Sequence, residues 1–408
     1  MLLQFTNCHL CDHGVITHNT DLFVDTETGK IVAPPKNKKV SVKKVDLGGH
    51  ILAPGYIDIQ NNGIYGLNFS NLKEDSSAEE IARFKAFYRD AMAKYMRTGV
   101  TSMCPTVTSN FPGTYEKVLP VYKKTRSESM CDSLGAHCEG PFISPAKKGC
   151  HPVETFTDAT KEGGLARVYG QQNLLENVAI VTAAPEIPGV LDAIPELTEN
   201  DVIFSVGHTS ADYKTSLEAV HKGASMITHL YNAMPQPHHR DVGVVGLVTS
   251  PSTGMDSPYF GIICDGVHVA PSMCVLAYRA NPDKCVLTTD AMHLIGLPDG
   301  TYKWDQQKIV KKGPRLYLEG TTTLAGAATT LAECVRNLVQ WANISLAQAV
   351  KTVTNNAADS LNVSNEKGYL KVGCDADLVV LDNEGYIKTV YKCGQAVSSI
   401  DERVSASL

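Results

Sequence analysis

Four apolar, strand-like runs in this chain of 408 residues each end in a side chain that can bind a metal or move a proton. The runs cover residues 134–139, 202–208, 226–229 and 286–290, and their last residues are Glu139, His208, His229 and Asp290. In a (β/α)8 barrel the carboxyl ends of all strands meet on one face, so residues that are distant in sequence become neighbours there. The pattern therefore favours a parallel barrel with one shared site.

Strand-like and helix-like segments alternate between residues 54 and 357, as a parallel barrel requires. We predict eight strands, over residues 56–60, 101–107, 134–139, 178–183, 202–208, 226–229, 260–264 and 286–290. Apolar residues at helical spacing predict a helix over 79–97, and two more helices are predicted at 329–342 and 346–361. A hydrophobic content of 43% supplies the large core that such a barrel needs.

Both ends of the chain have the texture of short β-strands joined by turns. Neither end holds enough apolar residues to fold by itself. We therefore predict an α/β protein in which a (β/α)8 TIM-like barrel spans residues 54–357. A small β-sandwich domain would be built from both termini, residues 1–53 and 358–408.

Charge and composition argue against several classes of partner. The net charge is -6, and no basic stripe with interleaved aromatic residues suggests nucleic acid binding. No apolar run approaches the ~18 residues of a membrane span, and no signal peptide is recognisable. Among the twelve cysteines, the pair Cys8 and Cys11 lacks a second pair, so we interpret the thiols as reduced. These features predict a cytoplasmic protein without nucleic-acid or membrane partners.

The residues at the strand ends predict a metal centre. Glu139, His208 and His229 form the carboxylate and two-imidazole set of a catalytic zinc-type site with one position open for water. Asp290 would move the proton of that water. Zinc is our first choice, and iron, cobalt or manganese would also suit mixed oxygen and nitrogen ligands.

The end of the first predicted strand limits the number of metal ions. Many metal amidases and deaminases carry His-x-His there, whereas this chain has Gln60 and Asn62. Amides are poorer transition-metal ligands than imidazoles, so one divalent ion per subunit is expected. His137 shares a strand face with Glu139, and a role beside the metal or in the core is open.

Three loops at the same predicted face offer substrate-binding groups. His151 lies in the loop after Glu139, where it can approach a substrate. Arg240, in the polar loop after His229, has a planar guanidinium group whose N–H donors suit a phosphate. A role in a surface salt bridge is an equally good interpretation of Arg240. His268 follows the seventh predicted strand and is a candidate for binding substrate oxygens.

These motifs, in this order, resemble the amidohydrolase superfamily over nearly the whole chain. The carrying segments are residues 53–63 (APGYIDIQNNG), 137–142 (HCEGPF), 207–209, 228–234 with His239 and Arg240, 265–268 and 289–291. Within that superfamily, the chain most resembles the branch that deacetylates amino-sugar phosphates. It implies hydrolysis of the acetamide of N-acetyl-D-glucosamine 6-phosphate to D-glucosamine 6-phosphate and acetate.

The resemblance also implies roles for individual residues. It implies a homodimer with one metal on Glu139, His208 and His229, Asp290 as catalytic acid and base, and His151 beside the amide carbonyl. The implied substrate-binding residues are Cys150, His151, Asn232, Ala233, Arg240, Asp265, His268, Leu324, Ala325 and Gly326. Arg240 would reach the phosphate from the neighbouring subunit. The alternatives are another phosphosugar amide hydrolase of the superfamily and a catalytically inactive scaffold.

Overall fold

Eight parallel strands form a nearly closed barrel in the computed structural model, which describes residues 1–37, 40–249, 252, 257–304 and 307–399. In chain order, barrel strands 1 to 8 are Tyr56–Asn61, Val100–Thr108, Ala136–Glu139, Val178–Ala183, Ile203–Val206, Met226–Ile227, Tyr259–Ile263 and Cys285–Thr288. Each strand pairs in parallel with the next. The backbone N–H of Asp290 donates to the carbonyl of Gln60 (2.9 Å) and ties strand 8 to strand 1. The predicted barrel is confirmed.

Strands 5, 6 and 8 end two residues earlier than predicted. The residues that follow, His208, His229 and Asp290, have φ angles of 49°, 29° and 41°. A side chain other than glycine seldom adopts positive φ, and such residues cluster at functional sites. The chain therefore leaves the sheet just before each of these side chains and turns it towards the barrel mouth.

Helices surround the barrel. The α-helices are Ala78–Tyr95, Pro112–Val118, Ala166–Tyr169, Gln171–Glu176, Val190–Glu199, Tyr213–His221, Pro271–Ala280, Leu331–Ala342, Leu346–Lys351 and Asn355–Ser360, and the 3-10 helices are Met96–Thr98, Leu119–Tyr122, Pro145–Lys147, Val153–Thr155 and Val244–Val248. The first helix is confirmed, with a capping box between Ser77 and Glu80 at its start. The single helix predicted over 346–361 is wrong. Thr352 and Thr354 donate their hydroxyls to backbone carbonyls there, which favours a break between two short helices.

Strands from both termini form two sheets beside the barrel. One sheet has the order Lys30–Val32, Leu22–Asp25, Leu2–Thr6 and Val42–Asp46, and the other has the order Gln395–Ser399, Ile387–Lys392, Leu378–Leu381, Ile51–Pro54, His9–Asp12 and Val15–Thr17. The antiparallel pairing of Leu378–Leu381 with Ile51–Pro54 joins the two ends of the chain in one sheet. The rings of Phe5 and Tyr391 lie 4.9 Å apart and connect the two sheets. The small β-sandwich is confirmed.

An antiparallel sheet that was not predicted follows barrel strand 8. Its strands are Gly300–Trp304, Gln307–Lys312, Arg315–Leu318 and Leu324–Ala327. Two short elements complete the sheets: the hairpin of Gly63–Ile64 with Leu67–Asn68, and Asp132–Ser133 beside strand 2. Residues 324–326, which the sequence suggested to be a substrate loop, therefore belong to a strand.

The twelve cysteines, all within the described ranges, are free thiols, and Cys150 is the exposed one. Burial raises the pKa of Cys11 to about 12, which keeps this residue of the C-x-x-C pair protonated. Within the ranges that the structure describes, no helix is long and apolar enough to cross a membrane.

Candidate active site

A cavity of about 320 Å³ opens at the carboxyl ends of the barrel strands. Its walls hold Asn62, Asn68, Thr108, Glu139, Gly149, Cys150, His151, His208, His229, Asn232, Ala233, His268, Asp290, Met292, His293, Ala325 and Gly326. The four strand-end residues that the sequence singled out thus share one cavity. We call Glu139, His208 and His229 the rim cluster.

The rim cluster brings three ligand atoms to one point. The Nε2 atoms of His208 and His229 lie 3.1 Å and 3.0 Å from Oε1 of Glu139, and 3.0 Å from each other. All three residues are at most 5% exposed. Burial by itself would raise the pKa of Glu139, but when the two imidazole rings are protonated their bonds to this carboxyl hold its pKa well below the ordinary value.

The hydrogen bond behind His208 leaves its Nε2 as an acceptor that could bind a metal. Nδ1 of His208 lies 2.8 Å from the carbonyl oxygen of Lys147, and a carbonyl can only accept. In the neutral ring Nδ1 therefore carries the hydrogen, and Nε2 presents a lone pair to the Glu139 carboxylate. Two facing acceptors repel unless a cation lies between them. The donor set therefore fits a divalent metal ion.

Two glycines, one next to His208 in the chain and one facing its ring, allow neighbouring segments to pack closely around this residue. A Cβ on Gly207 would lie 2.7 Å from Cγ2 of Thr182, on barrel strand 4, and 2.8 Å from Cβ of Thr228, which follows barrel strand 6. A Cβ on Gly149, which has a φ of 56°, would lie 3.2 Å from the His208 ring. Small residues are therefore required on both sides of this imidazole.

The two amides at the end of strand 1 hold the carboxylates of the site. Nε2 of Gln60 donates to Oε1 of Glu139 (2.9 Å), and Nδ2 of Asn62 donates to Oδ1 of Asp290 (2.7 Å). Gln60 therefore faces the rim cluster with its amide nitrogen, which is a donor. The bond from Asn62 leaves Oδ2 of Asp290 as the oxygen that can take up a proton.

The surroundings of Asp290 suit an acid–base role. Withdrawal from solvent, followed by the negative charge of Glu139, raises the pKa of Asp290 to about 6. The charges of His229 and His268 and the bond from Asn62 act in the opposite direction. A carboxyl group with a pKa near the working pH can both accept and return a proton.

His151 lies on the wall beside the rim cluster. Its Nε2 is 3.9 Å from Oε2 of Glu139, and its ring centroid is 4.5 Å from that of His208. Nδ1 contacts the backbone N–H and the hydroxyl of Ser109, at 3.2 Å and 2.7 Å. Burial lowers the pKa of His151 to about 3, so the ring is neutral.

His137 is a core residue. Its Nδ1 lies 3.0 Å from the carbonyl of Ile59, and its Nε2 lies 2.7 Å from the hydroxyl of Thr182. Because both ring nitrogens already have hydrogen-bond partners, His137 has no lone pair left for a metal. Of the two roles that the sequence left open, the structure supports the role in the core.

His268 is oriented by Asp265. Oδ2 of Asp265 lies 2.7 Å from Nδ1 of His268, and this bond outweighs the effect of burial and raises the pKa of the imidazole. The side chain of Asn232 contacts the carbonyl of His268 at 3.4 Å. The buried Oδ1 of Asn232 has no hydrogen-bond partner among the described residues and is available to a ligand.

Three of the residues implied by the resemblance lie outside the cavity walls. Asp265 is behind His268, Leu324 is 38% exposed, and Arg240 is exposed in the loop after His229. Residues that the sequence did not suggest as site residues are Asn62, Asn68, Thr108, Ser109, Met292 and His293. The adjacency of strands 1 and 8 in a closed barrel could have indicated Asn62 and His293.

A second group of three carboxylates, Asp132, Asp375 and Asp377, is also close enough to hold an ion. Nζ of Lys367 lies 2.5 Å from Asp132 and 2.7 Å from Asp375. Nζ of Lys392 lies 2.8 Å from Asp132 and 2.6 Å from Asp377. The two ammonium groups occupy the space that a cation would need, so this group does not fit a metal. We call these five residues the junction cluster.

The barrel and the rim cluster define a metal-dependent hydrolase, and the comparison with known families agrees. Residues 51–397 match the model of the amidohydrolase family, whose members are metal-dependent. The N-acetylglucosamine-6-phosphate deacetylase of Danio rerio is 38% identical over 402 residues, 97% of this chain and 96% of that protein. The chain belongs to the amidohydrolase family and, within it, to the N-acetylglucosamine-6-phosphate deacetylases.

Solved structures give the same result. The N-acetylglucosamine-6-phosphate deacetylase of Pasteurella multocida superimposes with a TM-score of 0.82 at 28% identity, over 98% of this chain and 100% of that one. A mutant of the Mycobacterium smegmatis enzyme in complex with N-acetyl-D-glucosamine-6-phosphate superimposes with a TM-score of 0.80 at 28% identity, over 98% and 99% of the two chains.

Proposed function

We propose that the chain hydrolyses the acetamide of N-acetyl-D-glucosamine 6-phosphate, releasing acetate and D-glucosamine 6-phosphate. One observation carries this proposal: the rim cluster, Asp290 and His151 share one cavity in a chain whose full-length relatives are deacetylases of this sugar phosphate. A catalytically inactive scaffold would not need to keep three ligands and an acid–base residue in place.

Each residue has a chemical task in this reaction. A divalent metal bound to Glu139, His208 and His229 would supply a water of lowered pKa and polarise the acetyl carbonyl. Asp290 takes the proton of the attacking water on Oδ2 and returns a proton to the departing amine, which is otherwise a poor leaving group. His151 donates a hydrogen bond to the oxygen on which negative charge develops, an effect of roughly 3–4 kcal/mol for a well-placed donor.

The sugar and its phosphate would be held by the loops around the cavity. We assign the sugar to Cys150, Asn232, Ala233, His268, Ala325 and Gly326, which all line the cavity, with Asp265 acting through His268. Leu324 would act through its backbone, next to Ala325. Arg240 lies outside the walls of its own cavity, which supports a homodimer in which it reaches the phosphate bound to the neighbouring subunit.

Arg240→Ala tests the phosphate assignment. A desolvated contact between arginine and phosphate contributes roughly 1.5–3 kcal/mol. We therefore expect kcat/KM on the phosphorylated sugar to fall about tenfold to hundredfold, with little change on N-acetylglucosamine itself. Arg83→Ala is the matched control, because Arg83 is exposed on a helix and pairs with Glu79. An equal loss on both sugars would contradict the assignment, and dilution below the dimer dissociation constant should reproduce the selective loss.

Acetate release from N-acetyl-D-glucosamine 6-phosphate, measured with the metal content, tests the whole proposal. We expect turnover with about one divalent ion per chain, zinc as the first choice and iron, cobalt or manganese as alternatives. A second amide substrate preferred over this one would favour another phosphosugar amide hydrolase. A metal-loaded protein that hydrolyses no amide would favour the scaffold.

We also propose how the chain is divided into domains and in which compartment the protein is found. We assign residues 1–53 and 358–408 to the β-sandwich domain and residues 54–357 to the barrel, which the mixed six-stranded sheet supports; residues 400–408 lie outside the described residues. The twelve free thiols support a reducing compartment, and we propose the cytoplasm.

A further inference from the structure

Two neighbouring imidazoles of the site are held by backbone groups, one by a hydrogen-bond acceptor and the other by a donor. His208 and His151 have ring centroids 4.5 Å apart, and each offers Nε2 to the Glu139 side of the cavity. Behind His208, Nδ1 faces the carbonyl oxygen of Lys147. Behind His151, Nδ1 faces the backbone N–H of Ser109, which follows barrel strand 2. The same side chain therefore meets an acceptor in one place and a donor in the other.

The donor behind His151 determines which of its nitrogens carries the hydrogen. The backbone N–H of Ser109 can only donate, and Ser109 is 1% exposed, so solvent offers no substitute acceptor. A hydrogen on Nδ1 would collide with this N–H. The hydroxyl of Ser109 lies 2.7 Å from Nδ1 and 3.4 Å from the carbonyl oxygen of Glu139, and over the shorter distance it can donate to the same lone pair. Nδ1 is therefore an acceptor, and in the neutral ring Nε2 carries the hydrogen.

We propose that Ser109 is a positioning residue that keeps His151 as the Nε2–H tautomer and thereby separates a hydrogen-bond donor from the metal ligands beside it. This inference rests on the proposed function. With its hydrogen on Nε2, His151 has no lone pair to offer the metal, although it lies 3.9 Å from a carboxylate oxygen of Glu139. The same hydrogen points into the cavity, where it can bind the oxygen of a substrate carbonyl.

The tautomer can be measured without substrate. In zinc-loaded protein labelled with ¹⁵N-histidine, two-bond ¹H–¹⁵N correlations distinguish the Nε2–H from the Nδ1–H form, and His151→Asn identifies the signals. We expect the Nε2–H pattern for His151 and the Nδ1–H pattern for His208. An Nδ1–H pattern or a doubly protonated ring at His151 would overturn the proposal.

Substitution of Ser109 tests its contribution to the reaction. Ser109→Ala removes one of the two donors, so we expect kcat to fall about three- to tenfold with KM within twofold, and Ser109→Thr to restore it. Ser102→Ala is the matched control, because Ser102 lies buried in barrel strand 2, which Ser109 follows, and its hydroxyl has no partner among the described residues. An unchanged kcat in Ser109→Ala, or an equal loss in the control, contradicts the role.

A double-mutant cycle distinguishes a positioning role from a structural one. If Ser109 acts through His151, Ser109→Ala should have no further effect in a His151→Ala protein. A full additional loss in that background would show that Ser109 supports the barrel instead. If the wild-type protein released no acetate, the proposed function would fail, whereas the tautomers measured without substrate would still decide the inference about Ser109.

Discussion

The rim cluster and the junction cluster are both buried groups of ligand-type side chains, but their charges are balanced differently. In the rim cluster, a carboxylate oxygen and two imidazole nitrogens face one another within 3.1 Å. In the junction cluster, three carboxylates surround two lysine ammonium groups. The junction cluster carries its own cations, whereas the rim cluster needs one from outside. Similar burial therefore serves chemistry in the rim cluster, whereas in the junction cluster it holds Asp132 against the C-terminal segment.

Asp290 in the active site and two carboxyl groups of the junction cluster have pKa values that are shifted in opposite directions. Withdrawal from solvent and the charge of Glu139 raise the pKa of Asp290 to about 6. Burial acts in the same direction on Asp375 and Asp377, but the lysines outweigh it and hold the pKa of both carboxyls below their ordinary value. The partner, more than the depth of burial, decides the sign of the shift.

The largest expected effect is loss of the metal from the rim cluster. We expect His229→Ala to lose most bound metal and to reduce turnover on the order of 10⁴-fold, because the metal stabilises the transition state by several kcal/mol. Its unfolding midpoint should stay close to that of metal-free wild-type protein. His221→Ala, on an exposed helix end, should keep both metal and activity. Unfolding of the His229 variant would show that the rim cluster is structural.

Asp290→Asn separates proton transfer from metal binding. The amide keeps the size of the carboxyl group but cannot accept the proton, so we expect turnover to fall ~10²–10⁴-fold. Metal content and substrate binding should be retained, because Asp290 is not one of the three clustered ligands. Near-normal turnover would exclude the acid–base role, and loss of the metal would make Asp290 primarily a ligand.

Asp132→Ala in the junction cluster should reduce stability and leave turnover unchanged, the reverse of the effect expected for the rim cluster. Two buried ammonium groups would lose a shared partner, and breaking a buried pair costs about 3–5 kcal/mol of stability. Turnover per folded molecule should not change. Asp192→Ala is the control, because Asp192 is 85% exposed in its pair with Lys222, and no measurable loss of stability is expected. Urea unfolding and activity at a low temperature measure both quantities.

The pH dependence of stability should show the same contrast in metal-free protein. The pKa of Asp375 is lowered by folding, so its stabilisation is present above pH 4 and is lost as the pH falls through its folded value. The pKa of Asp290 is raised from 3.8 to about 6, so its favourable contribution is present below pH 3.8 and is lost as the pH rises through 6.

Two variants isolate these contributions in thermal unfolding between pH 3 and 7. Asp375→Asn should be less stable at pH 7 and should show a shallower loss of stability below pH 4. Asp290→Asn should gain about 1–3 kcal/mol relative to wild-type protein between pH 4 and 7. The comparison would be contradicted if the two variants changed the pH profile in the same direction.

The predictable part of the site is the part that lies at the strand ends. Glu139, His208, His229 and Asp290 follow apolar runs, and the geometry of a parallel barrel brings such positions together. Asn62 and Ser109 were missed as functional residues because the role of each depends on contact with a single distant partner, Asp290 and His151 respectively. Such contacts leave no periodic signal in the sequence. The sheet over residues 300–327 was missed because its hairpins depend on long-range packing as well as on local pattern.

The order of apolar runs and ligand-type residues in the sequence determined the barrel, the β-sandwich from both termini and the candidate set of metal ligands. The tertiary structure alone decided the state of each group. It gave His208 and His151 opposite tautomers through Lys147 and Ser109, and it placed lysines among the junction carboxylates. The physical reason is that periodicity in a sequence reports which side chains are buried. Protonation and charge depend on the partner that each buried side chain meets.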